Sequence, residues 1–263
     1  MPRRSAVINV MVRAADRAAR GLRRDFGEVE NLQVSRKGPS DFVSAADLRA
    51  EETLRQELAK ARPGFGFLME ESGTRHDNPE ADQRWIVDPL DGTTNFLHGL
   101  PHFAVSIALE ERGEITAGVV YDPIKEELFW AEKGIGAYLG DQRLRVSGRR
   151  SLSDCLLATG IPFQGRGDAA RFTRELAGAM AATAGVRRWG TASLDLAYVA
   201  AGRFDGFWEW GLSAWDFAAG WLLVREAGGF VTEMDGRGLT LDSGSLLAAN
   251  GELHPDLMKL LKG

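Results

Sequence analysis

The sequence predicts an α+β protein built from layered sheets. Helical and strand patterns mix in both halves instead of alternating as strict βαβ units. A long central stretch, FAVSIALEERGEITAGVVYDPIKEELFWAEKGIGAYLGDQRLRVS, reads as consecutive strands punctuated by turn residues. After about residue 151 the texture shifts to Ala-rich helical segments separated by short strands. The 263 residues allow one large domain or two closely packed ones. We expect a soft boundary near 145–152, dividing the chain into subdomains 1–150 and 151–263.

Taken in order, the first helix follows from Val7, Met11, Ala14, Ala18 and Leu22 at helical spacing. Its arginines (Arg13, Arg17, Arg20, Arg23 and Arg24 among them) read as a solvated basic face, not as an organelle leader. A short linker carrying Gly38-Pro39 is expected next. The second helix runs from about Ser44 to Ala61. Ser44, with Asp47 three residues on, makes an acidic capping box, and Pro63-Gly64 stops the helix. FGFLMEES is a short apolar strand ending in Glu70-Glu71. WIVDPLDGTTNF repeats that design, with Trp85, Ile86 and Val87 running into acids and a glycine turn. Arg112-Gly113, Asp122-Pro123 and Gly140-Asp141 divide the central strands. Gly134-x-Gly136-x-x-x-Gly140 has the wrong spacing for a dinucleotide loop and reads as hairpin punctuation. Beyond it, CLLATG, GFWEWG and SLLAAN are strands. RFTRELAGAMAATAG, SLDLAYVAAG, WDFAAGWLLVREAGG and HPDLMKLLK are helices, the third stopped by Gly228-Gly229.

Composition narrows the function. Apolar residues at 44% and charged ones at 26% give an ordinary globular chain. Lys and Arg number 32 against 37 Asp and Glu, so a net charge of −5 offers no global pull toward nucleic acid. Cys155 is the one cysteine, which excludes an intrachain disulfide and leaves a small core residue as its expected role. No apolar run is long enough to span a membrane, and no secretory core is present, so a cytoplasmic location is expected. His76, His98, His102 and His254 lack zinc-ligand spacing and are expected to be surface or structural residues.

Several short motifs carry candidate chemistry. In DPLDGTTNF, Asp88 and Asp91 bracket Pro89-Leu90, and Gly92-Thr93-Thr94 follow. Two carboxylates so placed at a strand end can converge, and the N–H groups after them can form an anion nest; the alternative is a polar turn with Asx hydrogen bonds. Glu70-Glu71 must be either solvated or neutralised by a cation. Asp216 either caps the helix it opens or faces a ligand. Glu209, between Trp208 and Trp210, is either an exposed strand charge or a group aimed at a polyol. Taken together, Glu70, Asp88, Asp91 and Asp216 are hard oxygen donors that select Mg²⁺ or Mn²⁺ over Zn²⁺.

These residues resemble the inositol monophosphatase family, within the lithium-sensitive phosphatases. WIVDPLDGTTNF resembles its first signature and WDFAAGWLLVREAGG its second. KGPSDFVSAAD, the EES segment, VVYDP, KGIGAY, WGTASLDLAYVAAG and the closing AAN fall in the family's order across nearly the whole chain. The resemblance implies a layered αβαβα sandwich, usually a homodimer. It implies two to three Mg²⁺ ions: Glu70, Asp88 and the Leu90 carbonyl for the first, Asp88, Asp91 and Asp216 for the second, and Glu70 through waters for a weaker third. Asp91, Gly92 and Thr93 would receive the phosphate. Thr93, hydrogen-bonded to Asp47, would help deprotonate the attacking water, with Glu70 also catalytic. Gly190, Thr191 and Ala192 would line the substrate pocket with Asp216, Glu209 would contact polyol hydroxyls, and Lys37 would lie near the metals. Met69 departs from the family's usual glycine and must take a β conformation unless the strand end shifts.

The implied activity is Mg²⁺-dependent hydrolysis of a phosphate monoester by direct in-line attack of water. DGTTNF, where the nucleotide-phosphatase branch more often has DGTKEF, favours inositol-1-phosphate or a similar small polyol monophosphate as substrate. The alternatives are a broader sugar phosphatase acting on fructose 1,6-bisphosphate or histidinol phosphate, and a dimeric regulatory scaffold on the same fold with a protein partner.

Overall fold

The computed structural model describes residues 4–28, 34–38, 41–75, 81–163 and 167–262. The first helix, α1 (Ala6–Phe26), buries Met11, Ala14, Ala18 and Leu22 and leaves its arginines outward. Where a linker was expected, β1 (Val34–Gly38) and β2 (Asp41–Ser44) form an antiparallel pair. Pro39 lies outside the described residues, and segments this short carry too little periodicity to separate strand from linker. Helix α2 (Ala45–Ala61) follows, with Ser44 as its N-cap.

An eight-stranded sheet forms next, from β3 (Gly66–Met69), β4 (Gly73–Arg75), β5 (Gln83–Asp91), β6 (Ala104–Glu111), β7 (Glu114–Asp122), β8 (Glu127–Glu132), β9 (Gly136–Leu139) and β10 (Gln142–Arg143). Its order is β10-β9-β8-β7-β6-β5-β3-β4. It is antiparallel except for the β3–β5 pair. A short helix, α3 (Thr93–Leu97), interrupts it after β5. Met69 sits in β3, buried and paired with Val87, so the residue that replaces the family's glycine takes the β conformation.

A second, five-stranded sheet has the order β12-β11-β13-β15-β14. It uses β11 (Leu156–Thr159), β12 (Gly185–Arg187), β13 (Gly206–Trp210), β14 (Phe230–Thr232) and β15 (Ser245–Ala249). The helices between them are α4 (Ala169–Ala182), α5 (Ala192–Ala200), α6 (Ala214–Glu226) and α7 (His254–Lys262). The three-residue strands β4, β12 and β14 had no period to betray them in the sequence.

Strand alternation explains the layering. On β5, Trp85 and Val87 pack toward α1 and α2, while Ile86 packs toward α5 and α6. On β13 and β15, Phe207, Leu246 and Ala248 join that inner layer, while Trp208, Leu247 and Ala249 face α4 and α7. The result is an αβαβα sandwich. Both faces of each sheet are buried, which is why the strands read as continuous apolar runs. Cys155 is buried in the outer core, as expected, and burial pushes its thiol up to about 11.

Candidate active site

The site forms where the carboxyl end of β5 breaks its pairing with β6. The register slips between Asp88 and Asp91, so Pro89-Leu90 bulge out and both aspartates stay buried. An Asp88 oxygen accepts the Leu90 N–H at 2.9 Å. Gly92 then turns with φ 97°, a left-handed conformation that disfavours any side chain. A Cβ there would also lie 2.6 Å from Thr191 Oγ1. That turn launches α3, whose first N–H groups have no carbonyl behind them in the helix.

Asp47 reaches the same place from α2. Its carboxylate accepts the Ser44 N–H at 2.9 Å and the Ser44 hydroxyl, completing the capping box read from the sequence. Its other oxygen accepts the Thr93 hydroxyl at 2.9 Å. The Leu90 carbonyl, 3.1 Å away, competes for that same proton. Burial raises the Asp47 carboxyl, and these donors pull it partly back.

Asp216 enters from α6, where it accepts the Ser213 N–H at 2.7 Å. The capping reading of this residue holds, and the same side chain also lines the cavity. An Asp91 oxygen accepts the Ser193 N–H at 2.7 Å, tying β5 to α5. The acids raise one another. Burial first, then Glu70, Asp91 and Asp216, pushes Asp88 well above the usual carboxylate range. Asp91 is pushed to about 6, chiefly by burial. Asp216 is pushed well above its ordinary value by burial, Asp91, Glu70 and Glu209.

A cavity of about 570 Å³ opens beside the cluster. Glu70, Asp91, Gly92, Thr93, Asp216 and Glu209 line it, together with Gly190 and Ala192. Thr191, buried behind them, donates its hydroxyl to the His102 carbonyl at 3.1 Å. Asp88 and Leu90 are buried and are not part of the lining. Glu209 is half-buried and presses against Gly160, where an added Cβ would overlap its carboxyl group. Lys37 falls on β1, and His76 lies outside the described residues. His102 is a structural histidine whose burial lowers it to about 4; His98 is exposed at the cavity rim.

Sequence reasoning did not find every residue of the site. Asn95 donates from one nitrogen to the His102 carbonyl at 2.8 Å and the Trp189 carbonyl at 2.7 Å, clamping α3 to the 189–191 segment. It stands inside DGTTNF, so its place in the motif was a usable signal. Arg188 brings a cationic side chain to the cavity wall, and nothing in RRWG distinguishes it from a surface arginine. Asp195, almost wholly buried on α5, is pushed well above its usual range by burial, Glu209 and Asp91.

Among the described residues, no three His, Cys, Asp or Glu side chains are gathered at coordination spacing around one point. The donor set nevertheless fits a hard divalent cation. It is all oxygen and mutually repelling, with Asp88 and Asp91 buried and Glu70 and Asp216 half-buried, and one oxygen of Asp88, Asp91 and Asp216 is already anchored by a backbone N–H. A cation here would relieve a repulsion that the fold otherwise has to bear.

Acids gathered beside a cavity in an αβαβα sandwich fit one class, the metal-dependent phosphate monoester hydrolases, and the family match shows it. The chain belongs to the inositol monophosphatase family, whose model matches residues 3–263. It is 60% identical to an inositol-1-monophosphatase of Mesorhizobium japonicum, over 98% of this chain and 97% of that one. It is 44% identical to the Nus factor SuhB of Pseudomonas aeruginosa, over 97% and 96%. The crystal structure of the extragenic suppressor protein suhB from Bartonella henselae superposes with a TM-score of 0.95 at 57% identity, covering 98% of this chain and 99% of that one.

Proposed function

We propose that the protein hydrolyses inositol-1-phosphate, or a closely similar small polyol monophosphate, by direct attack of water. The observation that carries this reading is the meeting of Glu70, Asp88, Asp91 and Asp216 beside the cavity that Glu209 also lines. Glu70, Asp88, the Leu90 carbonyl, Asp91 and Asp216 would hold two to three Mg²⁺ ions, with Mn²⁺ as a substitute and Li⁺ as an inhibitor. When bound, such ions lower the pKa of a water and screen the charge of the phosphate dianion.

The chain's own groups do the rest. Thr93 donates its proton to Asp47, so its oxygen is left to accept from the attacking water and orient it. Burial keeps Asp47 more basic than an exposed aspartate, which suits the far end of a proton relay. Glu70, at the edge of the cluster, takes part in the same activation. The N–H groups at Asp91, Gly92 and Thr93 face developing charge on the phosphoryl oxygens without moving, because Gly92 fixes the turn. Gly190, Thr191 and Ala192 shape the wall, and Asp91 and Asp216 border the substrate as well. Glu209 accepts hydrogen bonds from the polyol hydroxyls.

A homodimer is part of the proposal, and the exposed apolar side chains Ile161, Phe163 and Trp189 offer it surface; light scattering measures it. Among the described residues, no helix is long and apolar enough to cross a membrane; a cytoplasmic site of action is part of the proposal. Steady-state kinetics on inositol-1-phosphate, fructose 1,6-bisphosphate and histidinol phosphate at varied Mg²⁺ test the substrate. A clear preference for the first is expected, and equal turnover of all three overturns it.

The relatives named Nus factor SuhB support a second reading, a regulatory role with a protein partner beside catalysis. Asp88→Asn separates the two. A variant without hydrolysis that still supports the cell's phenotype assigns the biological role to the scaffold.

A further inference from the structure

Glu175 is a carboxylate in the middle of α4, only 4% exposed, and remote in sequence from every candidate site residue. Among the described residues, its hydrogen-bond donors are two indoles on β13. Trp208 Nε1 donates to one oxygen at 3.1 Å, and Trp210 Nε1 divides between the other at 3.0 Å and the same one at 3.2 Å. Arg171, one turn earlier, stacks its guanidinium 3.5 Å from the Trp210 ring centroid and stands 3.8 Å from Glu175. Strand alternation sends Trp208 and Trp210 toward α4 and α7. The residue between them, Glu209, turns its carboxylate to the cavity side against Gly160, and Trp210 also borders that cavity.

Among the described residues, sheet pairing on the last part of β13 is one-sided. Strand β11 pairs with β13 only as far as Thr159 opposite Trp208. Beyond that point, among the described residues, β15 is the strand paired with β13, through Glu209 opposite Leu246 and Trp210 opposite Ser245, and the Gly211 N–H reaches the Gly244 carbonyl at 2.6 Å. A leucine at position 175 would pack α4 on the sheet without burying a charge. What the carboxylate adds is position. Two N–H donors spaced two residues apart reach its two oxygens only when β13 keeps this register and the Trp210 ring turns toward the helix.

We propose that Glu175 is a positioning residue for substrate specificity: by gripping the indoles on either side of Glu209, it holds that carboxylate against Gly160 and in the cavity. The inference rests on the reading of Glu209 as the polyol contact, and the test separates the two.

Glu175→Leu, Glu175→Gln, Glu209→Gln and the Leu/Gln double variant are assayed on inositol-1-phosphate and on p-nitrophenyl phosphate, which has no polyol hydroxyls. Glu175→Leu should raise KM for inositol-1-phosphate about 5–10-fold, the scale of one misplaced hydrogen-bonding group, with kcat little changed. Hydrolysis of p-nitrophenyl phosphate should hold. The double variant should be no worse than Glu209→Gln, and the indole N–H resonances of Trp208 and Trp210 should shift in Glu175→Leu. Glu175→Gln, which keeps one carbonyl acceptor, should fall between and serves if the leucine variant does not fold. Equal losses on both substrates, or none on either, overturn the positioning role. An unchanged KM in Glu209→Gln overturns the polyol reading itself, and the proposal with it.

Discussion

Two helices of this protein open with the same local device and put it to different use. Ser44-x-x-Asp47 starts α2 and Ser213-x-x-Asp216 starts α6. In each, the aspartate accepts the serine N–H, at 2.9 and 2.7 Å. Locally the two acids are equivalent: each satisfies an orphan donor and complements the positive end of a helix. Their surroundings separate them. Asp47 is surrounded by donors, the hydroxyls of Ser44 and Thr93. Asp216 faces carboxylates, those of Asp91, Glu70 and Glu209. Asp47 is a satisfied acceptor. Burial raises both carboxyls, but donors pull Asp47 partly back, while like charges push Asp216 further up. A capping box thus aims a side chain, and the neighbouring layer decides what that side chain is for.

The largest effect expected is on Asp216→Asn. Asparagine can still accept the Ser213 N–H, so the cap persists while the charge goes. Hydrolysis should fall by about 10²–10³-fold, the scale for losing one group that acts on transition-state charge. Melting in chelator should rise, because a repelling carboxylate has been removed. Wild-type turnover in this variant would break the comparison at its functional end.

Asp47→Asn should give the opposite stability sign. Its cap also persists, but Thr93 and Ser44 lose their charged acceptor. Activity should fall about 10-fold to 10²-fold, and stability by about 1–2 kcal/mol whether or not metal is present. Both variants moving in the same direction in chelator would show that the two environments do not differ as described.

That contrast also marks how far the sequence could be read. Ser44 with Asp47 was legible as a cap because the signal is local, three residues long and followed by a helical pattern. Asp216 left two readings open, because local sequence does not say which layer a helix start will meet. DPLDGTTNF exposed its aspartates and its glycine turn, since proline and glycine constrain the backbone by themselves. Glu175 was invisible: on an amphipathic helix one glutamate looks like any other surface charge until β13 is laid against it. The β1–β2 pair and the three-residue strands β4, β12 and β14 were missed for want of periodicity. Their pairing is set by the neighbouring chain.

Metal should read the same difference in thermal melting. At a hundredfold excess over Kd, Mg²⁺ should stabilise the wild type by about 2.7 kcal/mol, a rise of roughly 5–10 °C for a chain of this size. Asp47→Asn should keep most of that rise and Asp216→Asn should lose most of it. A wild-type melting curve unmoved by millimolar Mg²⁺ would remove the cation from the account of the cluster.

The pH dependence without metal is a smaller effect with a definite sign. Asp88, Asp91 and Asp216 are all raised in the folded state, Asp91 to about 6. Their contribution is therefore fully present below about 4, their unfolded range, and is lost as pH rises through the folded values. His102, lowered to about 4, acts in the opposite direction, costing stability as pH falls from its unfolded value near 6.5. It does so equally in wild type and Asp216→Asn, so it cancels between them. In chelator, the wild type should lose more stability than Asp216→Asn between pH 4.5 and 7. Parallel profiles would mean that the acids do not sense one another.

The smallest effect tests the cap itself. Ser44→Ala removes the hydroxyl that accepts the Ala46 N–H at 3.1 Å and donates to Asp47. Stability should drop by about 1 kcal/mol, the usual worth of an N-cap. Asp47 keeps the Ser44 backbone N–H and the Thr93 hydroxyl, so it should stay aimed at Thr93, with activity falling only a few-fold. A loss as large as that of Asp47→Asn would mean that the serine hydroxyl, and not the backbone N–H, holds Asp47 in place. The parallel with Asp216, which is drawn on that N–H, would then fail.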